Sequence, residues 1–515
     1  MKPKKWIASA LCLLLLACLA TPVLADSKDI LNTDAEFPIV TEPLTFKVFG
    51  QQGPIHADWE QMDLWIKYQE MAGINLDFHT APSQGYDEQK NLMFVSGDSF
   101  DILVRAFLTG PEIVKYGGMG ILLPLEDLIP EYAPNFQKLM DKYPSIAPRI
   151  TSPDGHIYAL PAIIEMDAAR TEKYWINTAW LEQVGKEIPT TIDEFEDVLR
   201  AFKGVDFNGN GEADEIPFGA QSLLLYINNM CGVWGLERQF EQALNINDGK
   251  VESWLISEEF RDLLRWSNKI YGEGLLDPEI FTQDMGKYNA KLSGQVMGFF
   301  ICQAADGFDP TDYQGIAPFK GKSDRVIVKS APLARDLGTF AIMADCEYPE
   351  AALRWQDYFY SDEGSYLMRY GIEGKTWTRD ENGHPVYVDG ILNHPDGSGV
   401  AIAKFTIWPG GGAPQYMTER NAIAVVTEPT ANAQTAFAPY MDYAIYAAPL
   451  FDQDTSERLV TLQKDIDDFM LQSAAKFIIG DLSLDADWDT YLDALQKIGI
   501  AEYAQIYQGV YDNLN

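Results

Sequence analysis

Ten consecutive residues, Asp206-Phe207-Asn208-Gly209-Asn210-Gly211-Glu212-Ala213-Asp214-Glu215, space oxygen donors as a hard cation requires. Calcium takes about six to eight oxygen ligands, and a short loop supplies them only from alternate positions around a sharp turn. Asp206, Asn208 and Asn210 hold the first, third and fifth positions of such a loop, and Gly211 holds the sixth, where positive φ is needed. Glu212 at the seventh offers its backbone carbonyl, and Asp214 falls ninth. The twelfth position departs from an EF-hand: Pro217 replaces the bidentate glutamate, which leaves Glu215 as the expected substitute. A plain Asn-Gly turn with solvated acids is the alternative reading, but so many matched positions favour a metal. With helix on one side only, the expected role is a structural Ca2+ staple rather than a sensor.

Other catalytic or metal chemistry finds little support. Glycoside hydrolysis needs two opposed carboxylates, and among 76 acidic residues spacing singles out no pair. The histidines His56, His79, His156, His384 and His394 lack metal-ligand spacing, and neither a Gly-x-Ser-x-Gly elbow nor a phosphate-binding loop occurs. A formal net charge of −37 without a Lys/Arg cluster excludes nucleic acid and anionic lipid surfaces as partners. It also disfavours a highly anionic substrate, although acidity for solubility explains the charge equally well.

The elements that must position any site begin behind an export leader. Lysines at 2, 4 and 5 precede an apolar run from Trp6 to Ala20, too short to favour a permanent membrane span. Val23-Leu24-Ala25 matches a peptidase site before Asp26, giving a signal segment 1–25. Leu15-Leu16-Ala17-Cys18 offers instead a lipobox, giving 1–17 and a lipid anchor on Cys18. Either cut removes three lysines and makes the mature chain more acidic still. Cys231, Cys302 and Cys346 then remain, enough for at most one disulfide and too scattered for zinc.

After a polar leader at 26–42, Leu44 to Gly50 alternates as a strand, Trp59 to Tyr68 recurs at helical intervals, and Ile74 to Phe78 reads as a second strand. A helix from Tyr86 to Val95 and a strand at Asp101-Ile102-Leu103-Val104 continue this β-α-β pattern. Thr191-Ile192-Asp193-Glu194 is a capping box opening a helix whose Phe195, Val198, Leu199 and Phe202 share one face. At 515 residues two or more domains are expected, and with no linker or repeat between them they should interleave. The expected fold class is α/β: lobe 1 from 43–165 plus 335–400, lobe 2 from 166–334 plus 401–515, with a hinge between.

Several motifs in order carry a resemblance to the bacterial extracellular solute-binding proteins of family 1, the sugar-binding receptors of ABC importers, particularly the long alginate-oligosaccharide receptors. They are Asn91-Leu92-Met93 through Ser96-Gly97-Asp98 to Asp101-Ile102, Asp154-Gly155 with Tyr158-Ala159-Leu160-Pro161, and Ile188-Pro189-Thr190-Thr191 before the calcium loop. Later come Tyr370-Gly371-Ile372-Glu373-Gly374 with Trp377, Lys476 to Gly480, Trp488, Tyr491, Gly499, Tyr507-Gln508 and Tyr511. The resemblance implies the two-lobed type 2 periplasmic-binding fold, closing on a carbohydrate solute and presenting it to ABC permease subunits, the receptor itself a monomer. It also implies calcium on Asp206, Asn208, Asn210, Glu212, Asp214 and Glu215, away from the cleft. The lipoprotein habit of Gram-positive members favours Cys18. A secreted carbohydrate-active enzyme is the alternative, since export, aromatics and structural calcium suit one too.

Sugars present apolar C–H faces and hydroxyl edges, so loop aromatics beside amides and carboxylates are the expected solute ligands. Trp408 leads, because Trp408-Pro409-Gly410-Gly411-Gly412-Ala413-Pro414 cannot be regular structure. Gln51 and Gln52 after the first strand, and Ser96 and Asp98, are read as loops at the carboxyl edge of the sheet, the usual crevice. Trp234, Trp377 and Tyr416 are further aromatic candidates, and Arg105, Glu165 and Arg170 polar ones. Trp65, Trp266 and Trp355 are expected in cores.

Overall fold

A computed structural model describes residues 30–97, 99–165, 171–212, 214–304, 311–323, 326–328, 331–418, 428–441 and 446–514. Its strands in the two main sheets are β1 (Leu44–Gln52), β2 (Ile74–Pro82), β3 (Ile102–Leu108), β4 (Leu160–Ile164), β5 (Lys173–Asn177), β6 (Ile216–Gly219), β7 (Met297–Cys302), β8 (Tyr313–Ile316), β9 (Ala334–Ile342) and β10 (Tyr416–Met417). Six form one sheet in the order β10-β4-β9-β3-β1-β2, and four form another in the order β8-β5-β7-β6.

The first sheet grows from the β-α-β start. β1 runs parallel to β2, Leu44 opposite Ile74, and to β3, Gly50 opposite Val104. A Cβ on Gly50 would lie 2.2 Å from the Val104 carbonyl oxygen, so only glycine lets these strands meet. The helix Asp63–Ala72 presents Leu64, Trp65 and Tyr68 inward and stops at Gly73, whose φ of 72° is left-handed. Trp65 stacks on Trp355 at 5.8 Å, placing both in the core as expected. β9 alone runs opposite to its neighbours β3 and β4.

The second sheet packs on its own core. Thr191 and Glu194 form the expected capping box, and the helix Ile192–Phe202 buries Phe195, Val198, Leu199 and Phe202. Phe195, Phe218, Phe299 and Phe319 meet edge-on or stacked beneath it. The helix Gln453–Ile479 supplies Leu462, Ile466, Met470 and Phe477 to this core, with Trp488 and Tyr491 following.

Among the described residues the chain passes from one main sheet to the other three times: between Ile164 and Lys173, between Ile316 and Ala334, and after Met417. Because β4 and β10 run with β3 while β9 runs against it, all three crossings meet the first sheet at one edge, the carboxyl edge of β1, β2 and β3. Arg149 bridges the lobes beside the second crossing: Nε donates to the Ala334 carbonyl (2.8 Å), Nη1 to that of Ala448 (3.0 Å), and Nη2 lies 2.6 Å from Glu241 Oε2.

Two organisational expectations change. Residues 401–417 belong with the first lobe, not the second: Tyr416 pairs with Ile163, and Ile407 and Ala413 lie in the first core. The third crossing follows β10, and composition carries no mark of that late exit. The polar leader also packs. Ile39 and Val40 are buried, Ile39 N–H donates to the Ala72 carbonyl (2.8 Å), and Arg354 holds the Ala35 carbonyl (2.9 Å). Among the described residues no disulfide joins Cys231, Cys302 or Cys346. Among the described residues no helix is long and apolar enough to cross a membrane; the leader 1–25 with Cys18 lies outside them.

Candidate functional site

At the edge where the crossings gather, Gln51 and Gln52 are the last two residues of β1, paired with Ala81 and Pro82, and not the loop expected after it; Gln51 lies beside Arg105 of β3, and the loop after Trp408 reaches Arg105. Arg105 is 1 % exposed. Its Nε donates to the Gly411 carbonyl (2.9 Å), and its Nη1 to Gln51 through both the backbone oxygen (2.9 Å) and Oε1 (2.9 Å). One guanidinium thus fixes the end of β1 to a glycine loop far away in sequence, as its planar fork allows. Burial lowers the Arg105 pKa to about 10, against which Tyr86 and Asp336 act. Gly412 N–H donates to Asp336 Oδ2 (3.1 Å), and a Cβ on Gly412 would fall 2.3 Å from the Phe107 ring.

His56 ties a further loop to this assembly. Its Nδ1 accepts the Gly53 N–H (3.1 Å), so Nε2 carries the proton and donates it to the Pro409 carbonyl at 2.9 Å. Burial, with a smaller push from Arg105, lowers its pKa to about 4 against the opposing Pro409 bond. The unfolded chain protonates near pH 6.5 and the folded one only near 4, so this contribution to stability is complete above 6.5 and is lost as the pH falls through 4. The melting temperature should therefore fall more steeply between pH 6.5 and 4 in the native protein than in His56→Gln, as differential scanning fluorimetry over that range will read.

Several expected solute residues stand elsewhere. Ser96 lies at the opposite edge: it precedes β3, whose entry at Asp101 donates to the Lys47 carbonyl (3.0 Å), about 13 Å along β1 from Gln51. The loop between the Tyr86–Ser96 helix and β3 enters a strand instead of leaving one. Asp98 and Arg170 lie outside the described residues. Trp234 and Trp377 are core residues, 4 % and 3 % exposed, Trp377 Nε1 donating to the Gly371 carbonyl (3.1 Å). Trp408 is half-buried with the Arg369 guanidinium 4.2 Å over its ring, so the glycines after it reach the edge rather than the indole. Gln52 Oε1 accepts from Thr80 (3.0 Å). Glu165 and Tyr416 do come together, but on each other: Glu165 Oε2 accepts the Tyr416 hydroxyl (2.9 Å), while Oε1 takes Lys142 (2.6 Å) and the Tyr143 hydroxyl. Hydrogen bonds from these three outweigh burial and hold the Glu165 carboxyl below its usual pKa. This cluster anchors the first and third crossings to the first lobe.

The calcium loop folds around its own acids. Asp206 Oδ1 accepts from Gly209 (2.7 Å) and Asn210 (3.1 Å) and Oδ2 from Gly211 (2.8 Å), so the turn is formed by backbone amides. Asn208 Oδ1 accepts from Asn210 and Asn210 Oδ1 from Glu212. Glu215 Oε1 accepts from Phe207 (2.6 Å) and Asn208 (3.1 Å), while its Oε2 is buried without a partner. Asp214 Oδ1 faces the Asn210 amide at 3.3 Å. Among the described residues no group of three or more His, Cys, Asp or Glu side chains is disposed as a metal site.

No family model matches the chain. The fructooligosaccharide ABC-transporter substrate-binding protein FusA of Streptococcus pneumoniae is 27% identical over 545 residues, 99% of each chain. Solved structures of FusA, one with kestose and one of an EF-hand mutant with fructo-nystose, each superpose with TM-score 0.75 over 91% of this chain and 99% of theirs, at 24% identity. A human-milk-oligosaccharide (HMO)-binding solute-binding protein of Bifidobacterium longum infantis gives 0.76 over 92% and 99%, at 21% identity. The alginate-binding protein AlgQ2, solved without calcium ion, gives 0.68 over 92% and 99%, at 22% identity. These relatives are binding proteins, not enzymes. From end to end the chain is a relative of the substrate-binding proteins of ABC transporters, and its two-lobed α/β structure is the solute-binding-protein fold.

Proposed function

We propose that the chain is an exported receptor that captures an oligosaccharide between its lobes and delivers it to the permease of an ABC importer. The observation that carries this reading is the match to FusA along the whole of both chains. The geometry supports it. The three crossings, Gln51 at the end of β1, Arg105 of β3 and the loop from Gly410 to Gly412 share one edge, so lobe closure would enclose a solute against backbone amides and half-buried side chains. The receptor acts as a monomer outside the membrane, carried there by the leader 1–25 or held by Cys18.

The loop at Asp206 fits calcium. Its donor set is oxygen only, its turn is already formed by amides on Asp206, and Glu215, whose Oε1 accepts from the loop amides of Phe207 and Asn208, keeps a buried Oε2 without a partner. Asp206, Asn208, Asn210, Asp214, Glu215 and the Glu212 carbonyl would hold the ion. Bound there, it would neutralise the acids and fasten the exit of the helix Ile192–Phe202 to β6. Charge neutralisation and cross-linking are the whole of its role; the solute edge is built by other elements.

Thermal shift against kestose, nystose, maltotriose, lacto-N-tetraose and trigalacturonate tests the receptor reading. A binder at a hundredfold over its Kd should stabilise by about 2.7 kcal/mol, and mass spectrometry should recover the sugar at its original length. Shortened sugar, or no shift with any of the five, overturns it.

A further inference from the structure

Three non-glycine residues adopt left-handed backbone in one small area of the first lobe: Arg105 (φ 53°), Phe107 (φ 47°) and Asp336 (φ 48°). Each such residue is strained and persists only where its neighbours over-determine it, which happens mostly at ligand clamps and active sites. The neighbours are present. The Tyr86 hydroxyl donates to the Ala106 carbonyl (2.9 Å), and the buried Lys90 donates to that of Phe107 (3.1 Å) while paired to Glu112 at 2.9 Å. Arg105 itself is held by Gln51 and Gly411.

The strained backbone has a directional result at the edge facing the second lobe. Asp336, the third residue of β9 after the crossing from lobe 2, is exposed, and the Phe107 ring is half exposed beside the glycine loop. Asp336 Oδ2 accepts the Gly412 N–H, which fixes the carboxylate plane; among the described residues Oδ1 has no partner. A carboxylate accepts and never donates, so it matches hydroxyl groups and opposes a second carboxylate. The half-exposed Phe107 ring beside it, with the Arg105 guanidinium 4.9 Å over it, offers aromatic surface that suits the C–H face of a sugar ring. Arg105 does not present a cation to the solute here, since its guanidinium is buried and engaged by three acceptors.

We propose that Asp336 is a solute-binding residue that accepts hydroxyls of an uncharged sugar ring lying against Phe107, and that it makes this subsite reject a carboxylated ring. This rests on the oligosaccharide-receptor function proposed above and adds the charge class of the solute.

Isothermal titration of the native protein, Asp336→Asn and Asp336→Gly with the best neutral sugar of the five and with trigalacturonate tests it. Asparagine tolerates left-handed backbone and keeps an oxygen for Gly412 N–H; glycine removes the side chain and the strain together, so neither variant should unfold. The native protein should prefer the neutral sugar. Both variants should weaken it at least about tenfold, the loss expected for a hydrogen bond to a charged group, with the glycine variant's melting temperature not lowered. Asp336→Asn should also narrow the preference over trigalacturonate. Neutral-sugar affinity within about twofold of native in both variants, or a native preference for trigalacturonate, overturns the assignment and leaves the receptor reading intact. A native protein that binds none of the sugars removes both.

Discussion

Arg105→Ala should abolish solute capture and lower unfolding stability by about 3–5 kcal/mol, the larger of the two strongest effects anticipated for this protein. Three charge-assisted hydrogen bonds disappear together, and the acceptors they served, the Gly411 and Gln51 carbonyls and Gln51 Oε1, are left unpaired in a part-buried setting. Each unpaired buried acceptor costs about 1–3 kcal/mol, and alanine at a φ of 53° adds strain that a shorter side chain does nothing to relieve. The glycine loop and the end of β1 then lose their common anchor, so affinity for the best sugar should fall at least a hundredfold, about 2.7 kcal/mol. Arg105→Lys should recover little, because one ammonium cannot reach both segments with the geometry of a fork. Urea unfolding and titration calorimetry on the two variants read these effects. A stability change under about 1 kcal/mol with native affinity would show that the two segments hold themselves.

Calcium removal should be nearly as large in stability and close to silent in solute contacts. An ion present at a thousandfold over its Kd adds about 4.1 kcal/mol by mass action, which for a lobe of this size corresponds to a loss of roughly 10 °C in melting temperature on chelation. Asp206→Ala plus Asp214→Ala should melt at the chelated temperature with or without added calcium. The buried Glu215 oxygen without a partner is the reason to expect a large response, because repulsion among Asp206, Asp214 and Glu215 is otherwise relieved only by amides. If chelation and the double substitution leave the melting curve unchanged, the loop is an Asn-Gly turn and the metal assignment falls.

How far the site was legible depended on the range of the forces that build it. The loop at Asp206 could be read because its turn is made by amides within five residues of the aspartate, and the capping box at Thr191 because both its bonds close over three. The glycines after Trp408 were singled out by loop chemistry, Gln51 as a loop residue that turns out to be the end of β1, and Arg105 as a polar residue near a strand end; the fold brings all of them to one edge. Ser96 was misplaced because a loop entering a strand and one leaving it have the same composition; only the parallel pairing of β1 with β3 separates the two edges. Trp234 and Trp377 sit among glycines in sequence yet are buried by helices and strands remote from them, a matter of packing that local pattern does not carry. Phe107 and Asp336 left no local signal, since nothing in their residue types announces a left-handed backbone.

By itself the sequence determined what short-range physics fixes: the helices and their caps, the β-α-β order, the tight turn at Asp206 and the acidity of the chain. The tertiary structure decided which loops share an edge, where the third crossing leaves the first lobe, and which tryptophans are core. It also set the strained carboxylate of Asp336 beside Phe107. The physical reason is that such placement depends on Tyr86 and Lys90 of one helix, Arg105 of β3 and Gly412 arriving from three separate segments, and on hydrogen bonds whose partners lie up to 306 residues apart.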